Sequence, residues 1–234
     1  MIDLNITKSK GTSRRISAIV GLSIIICGGF YVIEQFMDLN YLITTLSKIV
    51  SFGVIPYIIY NMTEDGSPME IIKMSRDRKT IKLGLLLGTI VLIVIWTTYF
   101  IVKSYIDLDL IAKELMESNL ITPRNFPFVA LYITLGNSFL EEFFFRGFIF
   151  LQIYSKGYRK IAYIFSALLF SIYHVAIFKT WFNHWLIGLA LVGLFVGGLI
   201  FNYINTKSKS IMNSWIVHIC ADIAIMVIGF IMFY

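Results

Sequence analysis

The sequence predicts an all-α fold, a polytopic bundle of about seven transmembrane helices. Of its 234 residues, 58% are hydrophobic and only 15% are charged, whereas a soluble domain carries about a quarter charged residues. The apolar residues are concentrated in seven runs, each close to the roughly 20 residues that a helix needs to cross a bilayer. Most charged residues lie between these runs, so the net charge of +6 indicates contact with lipid headgroups and not with nucleic acid.

The predicted spans differ in how regular they are. The second contains Pro56, which is expected to kink the helix, and Lys48, which either snorkels to the interface or faces the bundle interior. A turn is predicted at Asp65-Gly66. The pattern of residues 103–127 favours an amphipathic helix on the outer interface, with a solvated linker as the alternative. The seven predicted spans are Ile16–Ile33, Leu42–Tyr60, Ile81–Val102, Phe126–Phe150, Ile161–Phe178, Trp185–Tyr203 and Ile211–Phe233.

The distribution of basic residues predicts the orientation of the bundle. With the N-terminus in the cytoplasm and seven crossings, fourteen basic residues fall in inside segments and four in outside segments. Because lysine and arginine are enriched in cytoplasmic loops, this bias favours a cytoplasmic N-terminus and an external C-terminus. We therefore predict a multi-pass protein of the cell membrane, with the lipid bilayer as its first partner.

Three of the predicted spans, the fourth, fifth and seventh, contain ionisable side chains at membrane depth. Such a group costs about 2.5–3.5 kcal/mol at the bilayer centre, so it persists where it pairs inside the bundle or takes part in chemistry. Counted from the predicted cytoplasmic helix ends, Glu141, His174 and His218 lie about 11 to 20 Å deep in the membrane. Their similar depth predicts one shared site. The set consists of Glu141, Glu142, Arg146, His174, His218 and Asp222.

Helical spacing separates the roles within the fourth span. Glu142 and Arg146 are four residues apart and can form an ion pair on one face of the helix. Glu141 is turned by about 100° from its neighbour, so Arg146 cannot easily serve both carboxylates. Glu141 is therefore the carboxylate that we expect to take part in chemistry.

In the seventh span, Ser210, Ser214, His218 and Asp222 recur every four residues and predict one polar face. On this face the carboxylate of Asp222 can orient or charge the imidazole of His218. A glutamate and two histidines then allow two chemistries. Glu141 acts as a general base on water while His174 assists and His218 steadies an oxyanion, or the three residues bind a metal such as zinc. A purely structural polar network is the alternative to both.

Three motifs give the cluster a resemblance to a known family. Residues 141–146 have the pattern E-E-x-x-x-R, residues 170–174 F-x-x-x-H and residues 218–222 H-x-x-x-[N/D]. In this order and spacing they resemble the CAAX protease and bacteriocin-processing (CPBP, or Abi) family of intramembrane glutamic endopeptidases. The resemblance covers about Pro127–Ile225. It divides the chain into an N-terminal three-helix membrane region with an amphipathic linker, residues 1–125, and a CPBP-like catalytic membrane core, residues 126–234.

The resemblance implies a protease that cleaves a peptide or lipidated protein near the membrane. In it, Glu141 and His174 activate water, Glu142 and Arg146 form a supporting pair, and His218 with residue 222 stabilises the oxyanion. Asparagine is common at the last position and can donate a hydrogen bond to an oxyanion. An ionised Asp222 cannot, so it is either protonated or holds the imidazolium.

The family also leaves two questions open. It is often labelled a metalloprotease, although the glutamate mechanism needs no metal; zinc, where present, would be held by Glu141, His174 and His218. Relatives tied to bacteriocin immunity or signalling suggest the alternative function, a non-catalytic membrane partner. Intact motifs favour the protease.

Overall fold

The chain is described by a computed structural model for residues 10–37, 39–62, 67–73 and 78–234, and the regular elements there are helical. Seven helices are long and apolar enough to cross a membrane, which confirms the predicted fold class. The first to seventh spans are Gly11–Phe36, Tyr41–Met62, Arg78–Tyr105, Phe126–Ser155, Arg159–Phe178, His184–Ser208 and Met212–Phe233.

The connections agree in part with the sequence patterns. An 11-residue helix, Leu108–Ser118, occupies the predicted amphipathic segment, so this part of the connection is helical and not a simple linker. Pro68 begins a short helix, Pro68–Ile72. The predicted turn at Asp65-Gly66 lies outside the described residues, as do Lys8 and Arg76, two of the basic residues used to orient the bundle. The orientation itself stays a prediction.

Polar residues fix where several helices begin. At each start a side-chain oxygen accepts a hydrogen bond from a backbone amide three residues on, which satisfies a donor that has no partner inside the helix. These pairs are Asn40 with Ile43 at 3.0 Å, Asp107 with Leu110 at 2.9 Å, and Asn183 with Leu186 at 3.1 Å.

The second span is irregular next to its buried lysine. An α-helix ends at Lys48, a π-helical turn runs over Ile49–Val54, and the α-helix resumes at Ile55. Pro56 follows directly and has no amide hydrogen to donate to Phe52 four residues earlier, so a wider turn fits here. Lys48 is 7% exposed and faces the bundle interior, the second of its two predicted positions.

The fourth span forms the centre of the bundle. Of its apolar 18-residue stretch 44% is buried, a larger share than in any other candidate span. The span also contains two π-helical segments, Tyr132–Asn137 and Glu142–Leu151. Its Phe144 stacks on Phe52 of the second span, with ring centroids 4.4 Å apart. The first two spans therefore share one core with the fourth, while the predicted domain boundary at residue 125 stays a prediction.

Close helix contacts position the remaining spans around this centre. At Gly88 of the third span, an added Cβ would lie 2.7 Å from Sγ and 3.3 Å from Cβ of Cys220 in the seventh span, so a larger side chain would require Cys220 to shift. At Gly198 of the sixth span, an added Cβ would lie 3.0 Å from Ala167 of the fifth. Small residues allow this approach, as is usual between membrane helices.

Candidate active site

Glu141 lies at the centre of the bundle with 2% of its surface exposed. It ends a short α-helical turn, Ser138–Glu141, between the two π-helical segments of the fourth span. Its Oε1 atom accepts hydrogen bonds from Nζ of Lys48 at 2.7 Å and from Nδ2 of Asn137 at 3.0 Å. One oxygen of the carboxylate is thus held by two donors from two spans.

The other oxygen of Glu141 faces two histidines. Its Oε2 atom lies 3.8 Å from Nε2 of His174 and 3.7 Å from Nε2 of His218. Oε2 is buried and accepts no hydrogen bond from the described part of the chain. The three residues that were predicted to lie at similar depth in the membrane therefore converge. Oε2 of Glu141 faces Nε2 of both histidines.

Backbone geometry sets the tautomer of His174. This residue follows directly on the helix Arg159–Tyr173, and its Nδ1 atom is 2.7 Å from the carbonyl oxygen of Phe170. Because a carbonyl only accepts, Nδ1 carries the proton. In the neutral ring, Nε2 is then an acceptor directed toward the carboxylate of Glu141.

Glu142 links the fourth span to the seventh. Its Oε1 atom is 3.3 Å from Nη1 of Arg146 and 3.0 Å from Nδ1 of His218, and its Oε2 atom accepts a 2.5 Å hydrogen bond from Oγ of Ser214. Glu142 and Arg146 are both fully buried. The two residues predicted as an ion pair thus lie within pairing distance, and the carboxylate also contacts the neighbouring span.

Two aromatic rings enclose the charge of Arg146. The guanidinium carbon lies 4.0 Å from the ring centroid of Phe170 and 4.8 Å from that of Phe201. A guanidinium over a ring face is attracted by the ring quadrupole, and more strongly when both are desolvated. Together with Glu142, these rings compensate a positive charge that has no access to water.

Asp222 lies close enough to His218 to support a charge on its ring but not to orient it. Its Oδ1 atom lies 3.9 Å from Nε2 of His218, too far for a hydrogen bond. The imidazole of His218 is oriented by Glu142 instead, because Nδ1 of the ring lies 3.0 Å from Oε1 of Glu142 in the fourth span. Ser210 also precedes the helix, which begins at Met212, so the polar face of the seventh span is shorter than predicted.

Lys48 and Asn137 complete the site, and sequence reasoning did not assign either of them to it. The signal for Lys48 was available, since a charged residue within an apolar run is costly unless it is paired. Its partner could not be read from the sequence because 93 positions separate Lys48 from Glu141. The positively charged neighbour of Glu141 thus comes from the first half of the chain.

The sequence allows Glu141, His174 and His218 as ligands for zinc. Among the described residues, no group of three or more His, Cys, Asp or Glu side chains has an arrangement that could hold a metal ion. The Lys48 ammonium, 2.7 Å from Oε1, also places a positive charge against the carboxylate. The arrangement of Glu141, His174 and His218 thus does not favour the zinc alternative, which stays a prediction.

The fold and the site together define a class, a multi-pass helical membrane protein with a buried Glu-His-His cluster. Residues 123–224 match the sequence model of a family described as type II CAAX prenyl endopeptidase Rce1-like. This match confirms the resemblance to the CPBP family and includes all three motifs. At the level of the family, it supports a CAAX-protease-like intramembrane endopeptidase. Neither a curated protein nor a solved structure matches the chain.

Proposed function

We propose that the chain is an intramembrane endopeptidase that cleaves a peptide or lipidated protein with water activated by Glu141 and His174. The observation that carries this proposal is the convergence of Oε2 of Glu141 with Nε2 of His174 and of His218 at 3.7–3.8 Å. The family match over residues 123–224 supports the reaction class.

The proposed nucleophile is a water molecule between Glu141 and His174. Both atoms that face it, Oε2 and Nε2, are acceptors, so the two hydrogens of one water satisfy them together. Glu141 takes one proton as the water oxygen attacks the peptide carbonyl, and the same proton then passes to the leaving amine. The bond between the carbonyl carbon and the amide nitrogen breaks, giving a carboxylic acid and an amine.

His218 is proposed to stabilise the oxyanion of the tetrahedral intermediate. Its Nδ1 atom is held by Glu142 at 3.0 Å, so Nε2 can donate only when the ring is an imidazolium. The buried carboxylates around this ring support that charge, with Asp222 at 3.9 Å. A donor fixed where negative charge develops is worth about 10²–10³ in rate.

Cleavage of defined peptides by the purified protein tests this proposal. The substrates are a peptide with a prenylated CAAX terminus and its unprenylated counterpart, with products identified by mass spectrometry. Glu141→Gln is expected to lower kcat by about 10²–10⁴-fold, the usual contribution of a general base. The matched control is Glu117→Gln, since this exposed glutamate lies on the helix Leu108–Ser118, with its Oε1 atom 4.0 Å from Nζ of Lys113.

Cleavage by Glu141→Gln at the rate of the unchanged protein would overturn the mechanism. A preference for the prenylated peptide would support a lipidated substrate, whereas equal rates on both peptides would support an unmodified one.

A further inference from the structure

We propose that Lys48 is a positioning residue of the active site, which fixes the carboxylate of Glu141 so that one oxygen faces the two histidines. This inference rests on the proposed function. It concerns a residue of the second span, outside the segment 123–224 that matches the family.

The contacts of Lys48 leave its ammonium group little freedom. Nζ donates to Oε1 of Glu141 at 2.7 Å and to Oδ1 of Asn137. The side chain is 9% exposed, so water does not compete strongly for these bonds. Three rings surround the ammonium, with centroid distances of 5.9 Å for Phe30, 5.5 Å for Phe52 and 5.0 Å for Tyr173.

These contacts determine which carboxylate oxygen is available for chemistry. Oε1 accepts from both Lys48 and Asn137, while Oε2 accepts from no described residue and faces His174 and His218. Rotation of the carboxylate would break both bonds to Oε1 at once. The lysine and the asparagine therefore hold Glu141 in the orientation that presents Oε2 to the water.

The two adjacent glutamates of the motif thus have separate cations. Arg146 lies 3.3 Å from Glu142, and Lys48 lies 2.7 Å from Glu141. If Lys48 served only the fold, its removal would lower the stability and leave the kinetics of the folded protein unchanged. If it positions Glu141, its removal lowers kcat in protein that remains folded.

The test compares Lys48→Met with Lys103→Met in the purified full-length protein. Both changes replace lysine by an unbranched apolar side chain within a span, but Lys103 contacts the ring of Phe100 at 5.4 Å and is exposed. For Lys48→Met we expect kcat to fall by about 10²-fold, because a misplacement of about 1 Å has that effect. KM stays within about threefold, since substrate contacts are unchanged, and Lys103→Met behaves as the unchanged protein.

Two further variants separate positioning from folding. Lys48→Arg keeps the charge and is expected to retain about tenfold more activity than Lys48→Met, although its planar group fits the site less well. Asn137→Ala leaves the lysine in place, so it keeps the protein testable where Lys48→Met does not fold. We expect it to lower kcat by about tenfold, on the order of one lost hydrogen bond at the site.

An unchanged kcat in folded Lys48→Met, or in Asn137→Ala where the first variant does not fold, would overturn the inference. So would an effect confined to KM. These results differ from a failure of the proposed function, in which Glu141→Gln itself would remain active.

Discussion

Nδ1 of His218 lies 3.0 Å from Oε1 of Glu142, a contact between residues 76 positions apart that joins the seventh span to the fourth. The histidine approaches Glu141 with its other nitrogen, at 3.7 Å. One imidazole thus contacts both glutamates of the motif with opposite edges. The two adjacent glutamates thus have different contacts, since Glu142 orients the ring of His218 and Glu141 faces its opposite edge.

Replacing Glu142 by glutamine should reduce both stability and activity. The variant loses the charge opposite Arg146, and breaking a buried pair costs about 3–5 kcal/mol. It also weakens the hold on His218, so kcat should fall in the protein that remains folded. Thermal unfolding and peptide cleavage measure the two effects, with Glu117→Gln as the control. Full stability in this variant would contradict the ion pair.

Changing Arg146 to methionine should destabilise the protein by a similar amount, about 3–5 kcal/mol, because Glu142 is left as an uncompensated buried charge. The double variant Arg146→Met, Glu142→Leu removes both charges and should recover much of the stability, but not the activity, since His218 then has no carboxylate at Nδ1. A stability loss in the double variant equal to the sum of the losses in Arg146→Met and Glu142→Leu alone would show that the two charges are not coupled.

Replacing His174 by alanine should lower kcat by about 10²–10⁴-fold, as expected for a group that handles the proton of the attacking water. His184→Ala is the matched control, because this histidine is exposed at the start of the sixth span. Cleavage assays on both variants in parallel measure the difference. Equal activity of the two would remove His174 from the mechanism.

Asp222→Asn should retain cleavage to within about tenfold. Asparagine has nearly the same shape and adds an amide donor near the oxyanion, while Glu142 continues to orient His218. Asp222→Leu removes every polar atom at this position and should be less active than the asparagine variant. Loss of cleavage in Asp222→Asn would mean that the negative charge of Asp222 is essential.

Chelation should leave the activity unchanged under the proposed mechanism, in which Glu141 and His174 activate water directly. The measurement is cleavage before and after treatment with a zinc chelator, combined with metal analysis of the active protein. Loss of activity that zinc restores would require a rearrangement of Glu141, His174 and His218 into a metal site.

Hydropathy and spacing predicted the parts of the structure that depend on local order. Seven apolar runs correspond to seven helices, and four-residue spacing brings Glu142 within 3.3 Å of Arg146. What the sequence could not supply are contacts between distant spans. The hold of Glu142 on His218 depends on how the seventh helix is rotated, and that rotation is set by packing such as the contact of Gly88 with Cys220.

Lys48 is a second residue whose contacts with distant spans could not be predicted from the sequence. Its cost in a membrane predicts that it has a partner, but two acceptors in the fourth span and three rings from the first, second and fifth become visible only when the bundle is assembled. Similarly, the 100° offset between Glu141 and Glu142 assumed a regular α-helix, whereas the span changes to a π-helical repeat at Glu142.

Those wide turns make the site sensitive to chain length. A π-helical turn is an α-helix with one residue more than its repeat requires, and the turns at Ile49–Val54 and Glu142–Leu151 follow directly on Lys48 and Glu141. Deleting a single residue within either turn would restore the ordinary repeat at that place, so the side chains next to the turn would change direction while the two halves of the span keep their orientation. Alignment gaps in these two segments would thus mark proteins whose lysine or glutamate points elsewhere, even where every motif letter is retained.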